Sequence, residues 1–198
     1  MELVVDALGD KCPVPVVKAK QALATMDEGT LEVLVDNETS VTNLKSFAKS
    51  QNCEATDQKL AEGKYSVKIV KEAGSEPVAP VTGGAGVGPR VVVVPSRYMG
   101  HGDDELGDVL IKAFIFALTQ QDTLPDSVLF YNGGVKLTIE GSPVLEDIQK
   151  LADAGVEILS CGTCLMHYGL EDKLAVGEAT NMYVIVEKQL QAGIIVRA

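Results

Sequence analysis

The chain has 198 residues, a formal net charge of −11 and a hydrophobic fraction of 46%. This length allows one large domain or two small ones, and the apolar content excludes an intrinsically disordered chain. The acidic balance argues against binding to a nucleic-acid phosphate backbone, which requires clustered Lys and Arg.

The first 71 residues alternate between strand and helix patterns. Apolar residues recur there at a period of two in the strands and of three to four in the helices. The order β-α-β-α-β-β predicts an α/β two-layer sandwich, a small domain over residues 1–71. Strands are predicted over Glu2–Asp6, Leu31–Val35, Cys53–Leu60 and Tyr65–Val70, and helices over Pro13–Met26 and Val41–Ala48, the second capped by Thr39 or Ser40.

Residues 72–88 have neither periodicity and are rich in Pro, Gly, Ala and Ser. This composition predicts a linker between two domains. As a flexible coil, its roughly 17 residues would span about 20 to 25 Å.

Residues 89–198 show a second alternation of strands and helices, which begins with an uninterrupted valine strand at Arg90–Pro95. Such a strand is typical of a sheet covered on both faces. We expect a doubly wound, mostly parallel α/β domain. Its helices are predicted over Asp104–Thr119, Pro143–Ala154 and Asn181–Gln191, and its other strands over Val128–Tyr131, Val156–Leu159 and Ile194–Val196.

No apolar run approaches the roughly 20 residues that a membrane span needs, and the N-terminus lacks the order of a signal peptide. We therefore expect a cytoplasmic protein with no membrane partner. In that reducing compartment the four cysteines are expected to be thiols and not structural disulfides.

Cys12 lies between the first predicted strand and the first predicted helix. Pro13 suits the first helical turn, so Cys12 would lie at the helix N-terminus, where free N–H groups and the neighbouring Lys11 stabilise a thiolate. The alternative is a small buried cysteine at a turn. Cys53 lies at a predicted strand start and is expected to be a core residue whose replacement by serine lowers stability.

The pattern D-x-x-G-x-x-C-P-x-P around Cys12 resembles the signature of TusA-type sulfur carriers, and the β-α-β-α-β-β order extends this resemblance over residues 1–71. It implies that Cys12 accepts a sulfane sulfur from a donor persulfide and passes it on. In the same resemblance, Asp6 and Gly9 shape the loop and Pro13 and Pro15 form the helix start.

A second cysteine motif, Ser160–Cys164, follows the predicted strand Val156–Leu159, at a sheet edge where open α/β folds bind ligands. Three functions compete: a redox pair, half of a metal site, or a sulfur-bearing nucleophile beside a partner thiol. A metal site needs about four ligands, and besides the two cysteines this domain has only His167 and the distant His101 as candidates. No metal is therefore assigned. A C-x-x-C pair alone is weak evidence for redox chemistry.

Within this motif we select Cys161 as the reactive sulfur, because it is nearer the strand end and is followed by Gly162. Cys164 would then resolve or share the cargo. The alternative is a pair of inert buried thiols.

The predicted order of residues 89–198 looks like the DsrE/DsrF-like sulfur-relay fold, and the fusion as a whole is similar to YedF-type proteins of selenium metabolism. This resemblance implies a sulfurtransferase-like carrier of sulfur or selenium that takes its cargo from a donor such as a cysteine desulfurase. It calls for no cofactor, leaves the acceptor protein unknown and raises the expectation of a homo-oligomer. The competing hypothesis is a thiol redox or cargo-binding module without transfer activity.

Two loops of the second half are weaker candidates. The stretch Met99–Gly107 is glycine-rich, but its three acidic residues favour a helix cap over a phosphate site, and His101 remains a candidate acid or base. Asn132–Gly134 is predicted to form a turn. The alternative is that these residues line the ligand cleft at the carboxyl ends of the strands.

Overall fold

The computed structural model of the chain describes residues 1–11, 13–73 and 88–198. The chain divides into two compact units, Met1–Thr82 and Gly83–Ala198. Cys12 and residues 74–87, most of the predicted linker, lie outside the described residues. Both units are of the α/β class, as predicted.

The first unit is a four-stranded mixed sheet with two helices, in the order predicted from the sequence. β1 and β2 are parallel, whereas β4 is antiparallel to both β2 and β3, and the strand order is β1-β2-β4-β3. The elements are β1 Glu2–Asp6, α1 Val14–Ala24, β2 Gly29–Val35, α2 Glu38–Ser50, β3 Glu54–Ala61 and β4 Lys64–Lys71.

The alternation of β2 explains the layers of this unit. Leu31, Val33 and Val35 are fully buried, and they pack with apolar residues of both helices, among them Ala19 and Leu44. Because side chains alternate between the two faces of a strand, this pattern places the core on one face of the sheet.

One predicted cap in this unit is wrong. Asn37, and not Thr39 or Ser40, is the N-cap of α2, and its side-chain oxygen accepts a hydrogen bond of 2.8 Å from the Ser40 N–H. The helix begins at Glu38, so Thr39 and Ser40 are already inside its first turn. Only a residue that precedes the helix has the extended backbone that a cap requires.

The second unit is a five-stranded sheet in which every pair of neighbours is parallel, with the order β8-β7-β6-β5-β9. Because β6 and β9 flank β5 on opposite sides, the sheet is doubly wound. The strands are β5 Arg90–Val94, β6 Ser127–Phe130, β7 Glu157–Cys161, β8 Glu178–Thr180 and β9 Ile194–Arg197, and the helices are α3 Asp104–Thr119, α4 Leu145–Asp153, α5 Gly162–Tyr168 and α6 Met182–Gln191, with 3-10 helices at Asn132–Leu137 and Glu171–Lys173.

The central strands of this sheet are buried on both faces, as the valine run predicts. The four valines of β5 are at most 2% exposed, and all four residues of β6 are buried. Asp103 caps α3 by accepting a hydrogen bond of 2.7 Å from the Leu106 N–H. The acidic stretch before α3 therefore has the capping role favoured by the sequence. None of the helices in the described parts of the chain has the length and apolar content that crossing a bilayer requires.

β7 extends two residues further toward its carboxyl end than predicted, to Cys161. Ser160 and Cys161 belong to the strand, because they pair with β8 at Ala179 and Thr180. Ser160 is fully buried, and its hydroxyl lies 2.9 Å from that of Thr138 in the same core. Strand pairing with β8, which the sequence analysis did not predict, thus extends β7 up to the first cysteine.

Candidate functional site

The loop between β1 and α1 has a defined shape because two carboxylates accept its backbone N–H groups. Asp6, the last residue of β1, accepts from the Leu8 N–H at 3.0 Å, and Asp36 accepts from the Gly9 N–H at 3.0 Å. Asp36 comes directly after β2, and the parallel register pairs Asp6 with Leu34, so both carboxylates lie at the carboxyl edge of the sheet. Gly9 has φ +79°, a conformation that glycine adopts without strain.

Lys18 holds the same loop from the helix side. Its ammonium group donates to the Asp6 carbonyl oxygen at 3.1 Å and forms an ion pair of 2.5 Å with Asp10. The sequence analysis singled out neither Lys18 nor Asp36, and so missed their contacts with the loop. A lysine one turn into a helix that follows an acid-containing loop was the available signal.

The helix that follows the loop begins one residue later than predicted. Pro13 is the N-cap of α1, with φ −96° and ψ 9°, and its carbonyl oxygen accepts the Val17 N–H at 3.1 Å. This is the role of a cap, whose carbonyl accepts the first helical bond. Pro15 is inside the first turn and buried, whereas Lys11 is exposed. Cys12 is outside the described residues, and Pro13, the residue that follows it in the chain, is the N-cap of this helix.

Replacing Gly9 by alanine is expected to impair the sulfur loading that the resemblance to TusA-type carriers implies. The new Cβ would meet no atom within 4 Å, but the positive φ disfavours alanine by about 1 kcal/mol, so the loop would relax away from Asp36. The measurement is the initial rate of sulfur uptake, followed by intact-protein mass spectrometry. Gly155→Ala is the matched control, since Gly155 has φ +91°, a Cβ there would also meet no atom within 4 Å, and it lies in the second unit. Equal loss of rate in both variants would contradict a specific role for the loop.

The two cysteines of the second motif differ in exposure. Cys161 ends β7 and is 1% exposed, whereas Cys164 is the third residue of α5 and is partly buried. Cys161 lies close enough to Cys164 to raise the pKa of its thiol, so the structure brings the predicted pair together. In residues 1–11, 13–73 and 88–198, no cluster of three or more His, Cys, Asp or Glu side chains is arranged to hold a metal ion.

Asn132, the first residue of the turn after β6, contacts the more accessible thiol. Its backbone N–H donates to the Cys164 Sγ at 3.1 Å, and its side-chain oxygen accepts from the Tyr168 hydroxyl at 3.1 Å. The Lys136 ammonium group lies 4.1 Å from the centre of the Tyr168 ring. Asn132 has φ +48°, a strained conformation for a residue other than glycine that is often found at functional sites.

The turn also fits closely against the neighbouring strand. A Cβ on Gly134 would lie 2.0 Å from the Val94 carbonyl oxygen, so only glycine fits at this position. The segment Asn132–Gly134 is therefore more than a chain reversal, since close packing on β5 positions its first N–H against Cys164.

The Cys164 thiol titrates above its ordinary range. Burial raises its pKa, the hydrogen bond and charge of Cys161 raise the pKa further, and the Asn132 N–H acts in the opposite direction. Because the thiolate is the nucleophile, Cys164 is less reactive at neutral pH than an exposed cysteine.

Alkylation of Cys164 by iodoacetamide should accordingly keep rising with pH beyond the point at which an exposed cysteine, with a pKa of about 8.5, levels off. Peptide-resolved mass spectrometry gives the rate at Cys164, with a short cysteine peptide as the reference. Cys161→Ala removes one of the causes and should move the profile of Cys164 to lower pH. A profile at or below that of the reference peptide would contradict the assignment.

A cleft of about 820 Å³ opens at the carboxyl ends of β5, β6 and β9 and includes Asn132 in its lining. It lies at the point where β6 and β9 leave β5 on opposite sides, the usual ligand position in open α/β sheets. His101 and Arg197 also line this cleft. Asn132 therefore both lines this cleft and contacts Cys164. A position in a cleft was the alternative to a simple turn in the sequence analysis.

Comparison with known proteins identifies relatives of the first unit. Residues 3–71 match the family described as sulfurtransferase TusA. A protein of Methanocaldococcus jannaschii named as a sulfur carrier is 37% identical over 67 residues, which are 33% of this chain and 89% of the relative. The sulfur carrier protein TusA of Allochromatium vinosum is 36% identical over 67 residues, 33% of this chain and 88% of the relative.

The chain is also similar in fold to a solved structure. A protein of unknown function from Methanobacterium thermoautotrophicum is 23% identical, with a TM-score of 0.43, and the match covers 56% of this chain and 99% of that one.

Proposed function

Because the chain belongs, through residues 3–71, to the TusA family of sulfur carriers, we propose that Cys12 carries sulfane sulfur as a persulfide. The Cys12 thiolate attacks the outer sulfur of a donor persulfide, the donor cysteine leaves as a thiolate, and one sulfur atom is transferred. A cysteine desulfurase is the proposed donor, since it forms such a persulfide on its own cysteine. Selenium in place of the outer sulfur follows the same course.

The loop before α1 is the observation that supports this function. Its shape depends on Asp6, Asp36 and Lys18, and Gly9 adopts the positive φ that the loop requires. These contacts fix the segment that leads into α1, and Pro13, which follows Cys12 in the chain, is the N-cap of that helix, whose positive dipole end stabilises a thiolate. A thiolate at neutral pH is what an acceptor of sulfane sulfur requires.

The C-terminal thiol pair is proposed as the second thiol site. The sequence analysis assigned the reactive sulfur to Cys161, and that assignment remains a prediction. The 1% exposure of Cys161 favours Cys164 as the first acceptor, because a persulfide on another domain or protein has to reach the attacking sulfur. Transfer then gives a persulfide on Cys164 and returns Cys12 to the thiol.

Loading of the intact chain tests this function. The reduced protein is incubated anaerobically with a cysteine desulfurase and L-cysteine, trapped with iodoacetamide and digested for peptide mapping. We expect one additional sulfur atom on the peptide that contains Cys12. Modification confined to the other cysteines would contradict the carrier function of Cys12, and the same assay with a selenium donor tests the alternative cargo.

A thiol redox module is the second candidate function, favoured by the contact between Cys161 and Cys164. In that case the pair cycles between dithiol and disulfide and Cys12 takes up no sulfur. The same peptide map separates the two functions, since a disulfide lacks two hydrogens and carries no added sulfur.

A further inference from the structure

The C-terminal thiol pair has an asymmetry that simple storage of sulfur does not require. One thiol, that of Cys164, is partly exposed and accepts the Asn132 N–H, while the other, that of Cys161, is buried beside it. A second acceptor for partner proteins would need exposure, which Cys161 lacks. The buried position of Cys161 next to Cys164 suits a thiol that reacts only with its neighbour.

The spacing of the pair also permits a direct bond. Cys161 is the N-cap of α5 and Cys164 is its third residue, and Cα atoms three residues apart in a helical turn are about 5 Å from each other. This separation lies within the roughly 4.4 to 6.8 Å found between the Cα atoms of disulfide-bonded cysteines, so rotation about the side-chain bonds can bring the two sulfur atoms together. The pair can therefore close a disulfide without rearrangement of β7 or α5.

From this geometry, and on the basis of the carrier function proposed above, we infer that the pair releases its cargo reductively as hydrogen sulfide. The Cys161 thiolate attacks the inner sulfur of the persulfide on Cys164, an S–S bond forms between the two cysteines, and the outer sulfur leaves as hydrosulfide. The cysteine sulfurs are oxidised by two electrons and the sulfane sulfur is reduced by two. An external dithiol then reduces the disulfide and returns the pair to its starting state.

The environment of Cys164 favours this direction of attack. Attack on the outer sulfur would expel the Cys164 thiolate, which is a poor leaving group because burial raises its pKa. Hydrosulfide is a weaker base and departs more readily. Transfer of the intact sulfur atom from Cys164 to Cys161 is thus the slower alternative.

A single-turnover experiment on the full chain tests reductive release. The reduced protein is treated anaerobically with a limiting amount of sodium polysulfide in a Cys12→Ser background, desalted, and mapped by mass spectrometry, while free sulfide is measured by the methylene blue reaction. Polysulfide loads Cys164 without a carrier protein, so this arm is independent of the proposed function of Cys12. We expect a disulfide between Cys161 and Cys164, and more free sulfide than the loading reaction itself releases from the Cys161 variants.

Variants at Cys161 are the matched controls. Cys161→Ala and Cys161→Ser, each in the same background and each checked for an unchanged thermal unfolding transition, should retain the added sulfur on Cys164 and form no disulfide. Protein without polysulfide should stay a dithiol, which excludes oxidation by air. Reductive release is overturned if the chain with both cysteines retains its added sulfur as long as the Cys161 variants do.

A parallel arm separates this inference from the proposed function. Parent protein is loaded by the desulfurase in place of polysulfide. If the desulfurase loads nothing but polysulfide still yields the disulfide and sulfide, the carrier function of Cys12 fails and reductive release stands. If Cys12 is loaded but neither arm yields a disulfide, the carrier function of Cys12 stands and reductive release fails.

Discussion

Replacing Cys12 by serine is expected to abolish sulfur uptake from a cysteine desulfurase. A hydroxyl group cannot form a persulfide, and the other cysteines offer no equivalent position, since Cys161 is buried and the pKa of Cys164 is raised by burial. The initial rate of uptake, measured by intact-protein mass spectrometry with excess donor, should fall to the level of a reaction without desulfurase. The thermal unfolding midpoint should change little.

Cys53→Ser is the matched control for this experiment. The Cys53 thiol is partly buried, packs against the core of the first unit and lies 3.4 Å from the Gln51 carbonyl oxygen, to which a serine hydroxyl could also donate. We expect normal uptake and a loss of stability of about 1 kcal/mol or less. Normal uptake by Cys12→Ser, or loss of uptake in Cys53→Ser alone, would contradict the assignment of the carrier cysteine.

Separating the two units is expected to slow transfer of sulfur from Cys12 to the C-terminal pair by about 100-fold at micromolar concentration. While the chain is intact, the second thiol site is present at an effective concentration in the millimolar range for a short tether, so transfer is first order and independent of dilution. A specific protease site inserted within residues 74–87 and cut after folding leaves each half unchanged in sequence outside the insertion. After cutting, transfer becomes bimolecular.

Labelled sulfur makes this measurable. The chain is loaded on Cys12 with ³⁵S at low temperature, warmed, and sampled by peptide mapping at two protein concentrations before and after cleavage. In a Cys161→Ala variant the label should stay on Cys164, so the amount of sulfur transferred can be read directly from that peptide. The relay is excluded if label never leaves Cys12 in the intact chain, or leaves it equally fast in the intact and the cleaved protein.

Much of the fold follows from local patterns in the sequence. The buried alternation of Leu31, Val33 and Val35 and the valine run of β5 predict the two kinds of sheet, because side-chain periodicity reports which faces are covered. α3 has the bounds predicted from its apolar period. The α/β class of both units was therefore predictable.

The two cysteine motifs could be recognised in the sequence because each lies within a short continuous segment. Asp6, Gly9, Pro13 and Pro15 form a pattern over ten consecutive residues, and the C-x-x-C pair spans four. The short α5 and the three-residue β8 were missed, because segments of this length contain too few residues to establish a period.

Contacts between distant parts of the chain were decided by the tertiary structure. Gly9 and Asp36 meet because β1 and β2 pair in parallel, and Asn132 meets Cys164 because β6 and β7 end at the same edge of a sheet. No local pattern records a strand register. The different exposure of Cys161 and Cys164 has the same origin, since pairing of β7 with β8 buries the first cysteine while the start of α5 leaves the second accessible. The sequence by itself thus determined which thiols are present and on which elements they lie, and only the packing of those elements decided which thiol a partner can reach.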